Sequence, residues 1–325
     1  MNSLAFFIGL LLIISCKIYL QDNLDYRASN MSACNLCPRK CNIERSGNVG
    51  AGTGYCGEGT HIRISRAALH FWEEPRISGT EGSGAVFFTG CNLKCIFCQN
   101  AEISENGNGW EVTEEELSGI FFDLKAQGAH NINLVTPTHF VPQIKRSILM
   151  AKEKGFDLPF VYNSSGYDST DTLKTLEGLI DIYLPDFKYM DCELARKYSN
   201  APDYPDVAKQ AIAEMIRQVG CENVIVRHLL LPLAVRNAIA VVDYLYDTYG
   251  DKLCLSLMSQ YTPLYGTDKL SEKQSARLEK YPDLHRKVTK REYEKLIRHC
   301  TDRNITNVLI QEGEVAKESF IPRFT

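Results

Sequence analysis

From Gly84 onward, short apolar runs alternate with amphipathic stretches. The runs GAVFFTG (84–90), NINLVTP (131–137), PFVYNSS (159–165), DIYLPDFK (181–188), NVIVRHLLLP (223–232) and KLCLSLMSQ (252–260) predict strands, and ITNVLIQ (305–311) a seventh. Several are near-continuous rather than alternating, the pattern of parallel strands covered on both faces. Between them, Leu117, Ile120, Phe121 and Leu124 recur at helical spacing, as do Val235, Ala238, Ile239 and Val242, and Tyr293, Leu296, Ile297 and Cys300. Thr113 followed by Glu116 predicts a capping box for the first of these helices. Asp168 to Thr172 supply capping residues for a helix after the third strand. Strand–helix units joined by right-handed crossovers build either a doubly wound sheet or a barrel. No G-x-G-x-x-G follows any strand, which weakens the dinucleotide-binding sheet. Polar residues instead gather at the strand ends: Thr89 and Gly90, Thr136 to His139, Asn163 to Gly166, Asp186 and Lys188, and Ser259 and Gln260. In a barrel that end carries the chemistry. The expected fold over residues 81–325 is therefore α/β, a doubly wound sheet or a barrel, with the polar strand ends favouring the barrel.

Two zones precede it. Residues 31–80 are rich in Cys, Gly and Arg and show little sustained periodicity, which suits a small cysteine-rich module folded about metal. Residues 1–30 form an apolar extension with a polar linker. Its core LAFFIGLLLIISC (4–16) is 13 residues long, short of the roughly 20 needed to span a bilayer unless the helix continues through IYL. It has the length of a signal-peptide core, but no Lys or Arg precedes it, so a basic n-region is missing. Lys17 and Arg27 follow it, so an uncleaved anchor would keep the rest of the chain in the cytoplasm. Met31, three residues before the first clustered cysteine, is an alternative start. The expected location is cytoplasmic, with membrane contact only if residues 4–20 are a real anchor.

Composition narrows the chemistry. With 44% hydrophobic and 23% charged residues, the 325-residue chain is neither disordered nor a coiled coil. A net charge of −4 and a pI near 6.0 argue against a polyanion-binding surface, and no nucleic-acid partner is expected. The twelve cysteines stand out. Seven fall in two clusters between Cys34 and Cys98, while Cys16, Cys192, Cys221, Cys254 and Cys300 are scattered. Disulfide frameworks spread their cysteines over a fold, whereas metal sites bunch them. The clustering favours a reduced compartment and bound metal.

Cys91, Cys95 and Cys98 follow the first predicted strand at C-x3-C-x2-C spacing. A structural zinc site wants four ligands, and no fourth Cys or His lies nearby. Three thiolates on a cubane cluster leave one iron open, which is a place for chemistry. Upstream, Cys34, Cys37 and Cys41, with Cys56 after fourteen intervening residues, supply four further thiolates. Their spacing fits an auxiliary iron–sulfur cluster or a zinc site equally well.

FFTGCNLKCIFCQN, with CNLCPRKCNIER and GYCGEG upstream, resembles the radical S-adenosylmethionine (SAM) superfamily. Within it, these motifs look like the branch of proteins known by similarity to pyruvate formate-lyase-activating enzyme. The resemblance runs from about Met31 to the C-terminus, and it implies a partial (β/α)6 barrel of about six βα units after the cysteine-rich module. It implies one 4Fe–4S cluster on Cys91, Cys95 and Cys98 with SAM on the open iron. It also implies an electron donor such as flavodoxin or ferredoxin, and reductive cleavage of SAM to a 5′-deoxyadenosyl radical. That radical would take hydrogen from a glycine of a partner glycyl radical enzyme or from another protein substrate. The alternatives are radical chemistry on a small molecule or peptide, or a non-catalytic redox or metal-binding module. Asn163, Ser164 and Ser165 resemble the polar turn that faces SAM in activating enzymes, and an ordinary loop capping the next helix competes for each. Asp186 and Lys188 resemble their Asp-x-Lys pair, on one face of a strand, and a simple salt bridge competes. No catalytic residue is assigned beyond the cluster ligands. The family's Gly-Gly-Glu motif is replaced by Thr136-Pro-Thr138-His139, with His139 read as structural. Leu233 stands where relatives carry glycine after Pro232. Arg227 and His228 interrupt an apolar strand, so at least one should face the polar mouth.

Overall fold

Among the described residues nine strands form: β1 (Ile62–His70), β2 (Ser83–Phe88), β3 (Trp110–Val112), β4 (Ile132–Val135), β5 (Phe160–Ser164), β6 (Ile182–Pro185), β7 (Ile225–Leu229), β8 (Cys254–Met258) and β9 (Val308–Ile310). They come from a computed structural model that describes residues 33–47, 54–105, 107–267 and 270–311. The apolar stretch 4–16 and its linker lie outside these residues. Among the described residues, no helix is long and apolar enough to cross a membrane.

All seven expected strands form. β2, β4, β5 and β6 pair in parallel, as do β7, β8 and β9. Parallel bridges Tyr183↔Val224 and Asp186↔Arg227 join the two sets into one arc of seven parallel strands. β4 and β5 are buried along their whole length, as strands sandwiched between layers must be. Among the described residues no ladder joins β9 to the opposite edge, so the barrel is partial.

β1 and β3 are additions. β1 pairs antiparallel with β2 from Ile64↔Phe88 to His70↔Ser83, and β3 pairs with β1 at the sheet edge. The second half of the cysteine-rich zone thus belongs to the sheet. Its alternation of buried Ile62 and Ile64 with Arg63 is short and interrupted by Arg66 and a bulge, which hides the period-2 signal.

Helix Glu114–Ala126 opens on the expected capping box, with Thr113 accepting from the Glu116 amide and Glu116 accepting from the Thr113 amide. It buries Leu117, Phe121 and Leu124 against the sheet. The Phe121 ring meets Phe160 edge-on at 5.2 Å, an arrangement worth about 0.5–1.5 kcal/mol beyond burial alone. The cap expected over Asp168 to Thr172 is corrected. Ser169 occupies the N-cap of helix Thr170–Lys174 without a side-chain hydrogen bond. Asp168 turns inward, accepting from Thr138 at 2.7 Å, Tyr162 at 2.9 Å and Ser164 at 2.6 Å. Three hydroxyls offset its desolvation where an exposed cap would offer one amide.

His228, in the middle of β7, is fully enclosed and donates from Nδ1 to the Phe187 carbonyl at 2.7 Å. Burial pushes its pKa down to about 4, so it is neutral in the fold at neutral pH. The unfolded chain takes up that proton near the ordinary 6.5. Stability contributed by this group is therefore complete above pH 6.5 and is lost as pH falls towards 4. Replacing His228 by Gln should flatten the fall in urea midpoint across that window relative to wild type, a difference that equilibrium denaturation at several pH values measures.

Candidate active site

The turn out of β2 sets the position of the three cysteines. Gly90 sits at φ +72°, and a Cβ there would lie 2.5 Å from Glu58 Cγ and 2.8 Å from the Cys56 carbonyl. Only glycine lets the upstream cysteine segment press this closely on the loop. The Cys91 amide then donates to the Cys56 carbonyl at 3.4 Å. Beyond it the loop alternates: Leu93, Cys95 and Phe97 line a cavity of about 280 Å³ together with Cys91 and Cys98.

Each of the three sulfurs receives a hydrogen bond. The Leu93 amide donates to Cys91 Sγ at 3.3 Å, the Ser199 hydroxyl to Cys95 Sγ at 3.1 Å, and the Ser104 hydroxyl to Cys98 Sγ at 3.5 Å. Burial pushes the Cys95 and Cys98 thiols up, Cys98 to about 12. Such sulfurs carry negative charge only against a bound cation, and donated hydrogen bonds are what a cluster thiolate accepts. Among the described residues, no three thiol, imidazole or carboxylate side chains converge as ligands of a single ion. A cubane is wider than one ion and spreads its thiolates over separate corners, so three enclosed thiols around one cavity fit it.

Asn163, Ser164 and Ser165 at the end of β5, and Asp186 and Lys188 after β6, all line the same cavity. The turn they share depends on Gly166, at φ +74°, where a Cβ would fall 2.1 Å from the Asp186 carbonyl. Ser164 is committed to Asp168. The Ser165 hydroxyl oxygen is enclosed and has no hydrogen-bond partner among the described residues. Thr136 also lines the cavity and holds φ 61°, a left-handed backbone that a β-branched residue rarely adopts.

Arg227 is the residue of the Arg227–His228 pair that reaches the mouth. Its Nε meets Asp186 at 2.9 Å, one terminal nitrogen meets Glu73 at 3.0 Å, and the other meets the Asn163 side-chain oxygen at 2.6 Å. Asn163 returns a bond to Glu73 at 3.1 Å, and Lys188 Nζ pairs with Asp186 at 2.5 Å. Asp186 and Lys188 thus form the salt bridge that competed in the sequence, and they do so inside the cavity. Burial raises the Asp186 carboxyl, but Arg227 and Lys188 outweigh it and hold it below the ordinary carboxylate range. Glu73, Trp72 and His70 also line the cavity from the end of β1. Sequence reasoning missed them because they follow a strand that it did not find.

Cys34, Cys37, Cys41 and Cys56 are gathered in the upstream segment. Burial pushes the Cys37 thiol up to about 12, with the other three sulfurs adding to the rise. They do not line the cavity. Arg39, between two of them, ties that segment to the cluster loop. It donates to the Asn92 carbonyl at 2.7 Å and the Ser199 carbonyl at 2.8 Å, and stacks 3.9 Å over Tyr55. His139 also lies outside the cavity, buried, donating to the Thr89 carbonyl at 2.6 Å. It serves the end of β2 as a structural residue. Leu233 takes the left-handed φ of 62° that glycine would, with its side chain exposed and its amide on Glu292 at 2.8 Å.

Residues 85–242 match the family model of the Radical SAM superfamily. An uncharacterized protein of Methanocaldococcus jannaschii is 27% identical over 276 residues, 81% of this chain and 73% of that protein. Among solved structures, Streptococcus suis SuiB aligns over 72% of this chain at 15% identity and TM-score 0.44, and the chain spans 49% of that structure. The structure of anSMEcpe with bound AdoMet and Cp18Cys peptide aligns over 68% of this chain and 60% of its own, at 12% identity and TM-score 0.47. Methylornithine synthase (PylB) aligns over 70% of this chain and 71% of its own, at 19% identity and TM-score 0.42. The superfamily implies a 4Fe–4S cluster and SAM.

Removing Arg227 leaves Glu73 enclosed without its counter-charge and Asp186 with Lys188 alone. Arg227→Ala should cost about 3–5 kcal/mol of stability, and Arg227→Lys should recover part of it, both read from urea denaturation at pH 7.

Proposed function

We propose that this chain is a radical SAM oxidoreductase of the activating type, which takes hydrogen from a backbone glycine of a partner glycyl radical enzyme. The observation that carries the enzymatic reading is the meeting of Cys91, Cys95 and Cys98 with Ser165, Asp186 and Lys188 around one cavity at the strands' C-terminal ends. When bound, the cluster and SAM supply one-electron cleavage of a carbon–sulfur bond and a carbon radical able to abstract hydrogen.

This chain's residues do the positioning. Lys188, fixed by Asp186, offers its remaining N–H donors to a carboxylate, and the Ser165 hydroxyl offers a further donor. Asn163 is already held by Arg227 and Glu73, so it acts on SAM by keeping the end of β5 in place. Leu93, Phe97, Val135, Leu229 and Met258 form apolar walls that exclude water from a reactive radical. Trp72, 61% exposed on the cavity rim, supports a protein segment as substrate, and the resemblance of the cysteine motifs to activating enzymes supports glycine as its target. Cys34, Cys37, Cys41 and Cys56 are assigned to a second metal site, an iron–sulfur cluster or zinc.

Anaerobic reconstitution with iron and sulfide, followed by dithionite, should yield 5′-deoxyadenosine from SAM. Cys95→Ala should abolish it, and Cys37→Ala should only weaken it. Lack of product with the cluster intact would sink the enzymatic reading. A glycyl-radical EPR doublet on a co-incubated partner enzyme selects activation, whereas product formed with small molecules or peptides alone selects the alternative chemistry. Lys188→Ala should raise the KM for SAM about tenfold to a hundredfold, the ~1.5–3 kcal/mol of a hydrogen bond to a charged group. Metal analysis of the reconstituted chain, wild type against Cys37→Ala, tells a second iron–sulfur cluster from zinc.

A further inference from the structure

The cluster loop has a second face. Leu93, Cys95 and Phe97 turn into the cavity, whereas Lys94 and Ile96, between them in sequence, line a depression on the outside of the molecule. This depression gathers Lys94, Arg196, Lys197, Arg277 and Lys280 on a chain whose net charge is −4. Arg196 is paired with Glu193 and Arg277 with Glu105, and Asp283 lies near Tyr198. Among the described residues, Lys94, Lys197 and Lys280 have no carboxylate at ion-pairing distance. Lys197 lies over the rings of Tyr198 at 4.9 Å and Tyr281 at 5.0 Å, and Lys94 over Tyr55 at 5.7 Å. Three cations without counter-ions, two of them over aromatic rings, make a surface suited to an acidic partner.

The position of this surface is what gives it a role. Ser199 lines the depression and donates its hydroxyl to Cys95 Sγ at 3.1 Å. One serine side chain separates the outer surface from a cluster-ligating sulfur. We infer that this basic depression is the docking surface of the reductant, a small acidic protein carrying a one-electron cofactor, of the flavodoxin or ferredoxin class. The inference rests on the proposed radical SAM function and names its electron source. One electron passes from the reduced carrier to the oxidised cluster, no bond is made or broken in that step, and the carrier leaves oxidised by one electron. The carrier and the substrate approach opposite faces of one loop, so neither blocks the other. Opposite charge steers the encounter and makes it salt-dependent.

The test uses the reconstituted full chain, a flavodoxin as probe, and the variant Lys197→Glu/Lys280→Glu, whose two positions are exposed. Titration calorimetry at low salt should show Kd for flavodoxin raised at least about tenfold and its salt dependence reduced. Lys197→Gln/Lys280→Gln should fall between variant and wild type. Formation of 5′-deoxyadenosine driven by reduced flavodoxin should drop in step, while the dithionite-driven reaction stays at the wild-type level. Wild-type Kd in the charge-reversal variant overturns the proposal, as does an oligonucleotide that binds this surface more tightly than flavodoxin. If dithionite yields no product in any version, the enzymatic reading fails while the binding titration still decides the surface.

Discussion

Arg227 holds the two halves of the barrel together. Among the described residues, the backbone bridge Asp186↔Arg227 is one of two that join the six-stranded and three-stranded sheets, and the same two residues form an ion pair at 2.9 Å. Burial works against the guanidinium charge, but Asp186, Glu73 and Glu74 outweigh it. A buried pair of this kind stabilises only when its remaining polar atoms are also satisfied. Asn163 meets that condition by accepting from Arg227 and donating to Glu73. The charge network therefore fixes β5, β6, β7 and the segment after β1 relative to one another, and those elements carry every polar residue proposed to meet SAM.

The cluster loop depends on a second constraint, close backbone approach. Gly90 lets the Cys56 segment lie against the loop, and Arg39 fastens the two from the other side. Enclosure then raises the Cys95 and Cys98 thiols, so in the proposed cluster site metal binding would go with loss of a proton. Hydrogen bonds from Leu93, Ser199 and Ser104 sit where they can adjust the charge on each sulfur. Ser199 has two neighbours of consequence, since Tyr189 lies 2.8 Å from its hydroxyl while Arg39 takes its carbonyl. The upstream cysteine segment thereby reaches Cys95 through one residue.

The strands, the main helices and the three-cysteine loop were legible because their signals are local. Apolar runs mark parallel strands, a Thr and a Glu three residues apart mark a helix start, and three cysteines within eight residues mark a cluster loop. Asp186 and Lys188 read as alternate residues of one strand, but β6 ends at Pro185 and the two follow it, meeting as an ion pair in the turn. β1 was not legible, because its alternation is short and basic residues break it. Asp168 looked like a cap because caps and buried carboxylates have the same residue type. Only the surrounding hydroxyls of Thr138, Tyr162 and Ser164 tell them apart.

What the amino-acid sequence determined by itself was the order of strands and helices and the grouping of three cysteines in one loop after the first parallel strand, because each follows from spacing over a few residues. Which charges meet was decided only by the tertiary structure. Arg227 and Glu73 are 154 residues apart and Ser199 and Cys95 are 104 apart, and no periodicity connects such pairs. Composition shows a mildly acidic chain, and folding alone collected five cations on the outer face of the cluster loop. Side chains distant along the backbone become neighbours when sheets curve and close, so their electrostatics belong to the fold.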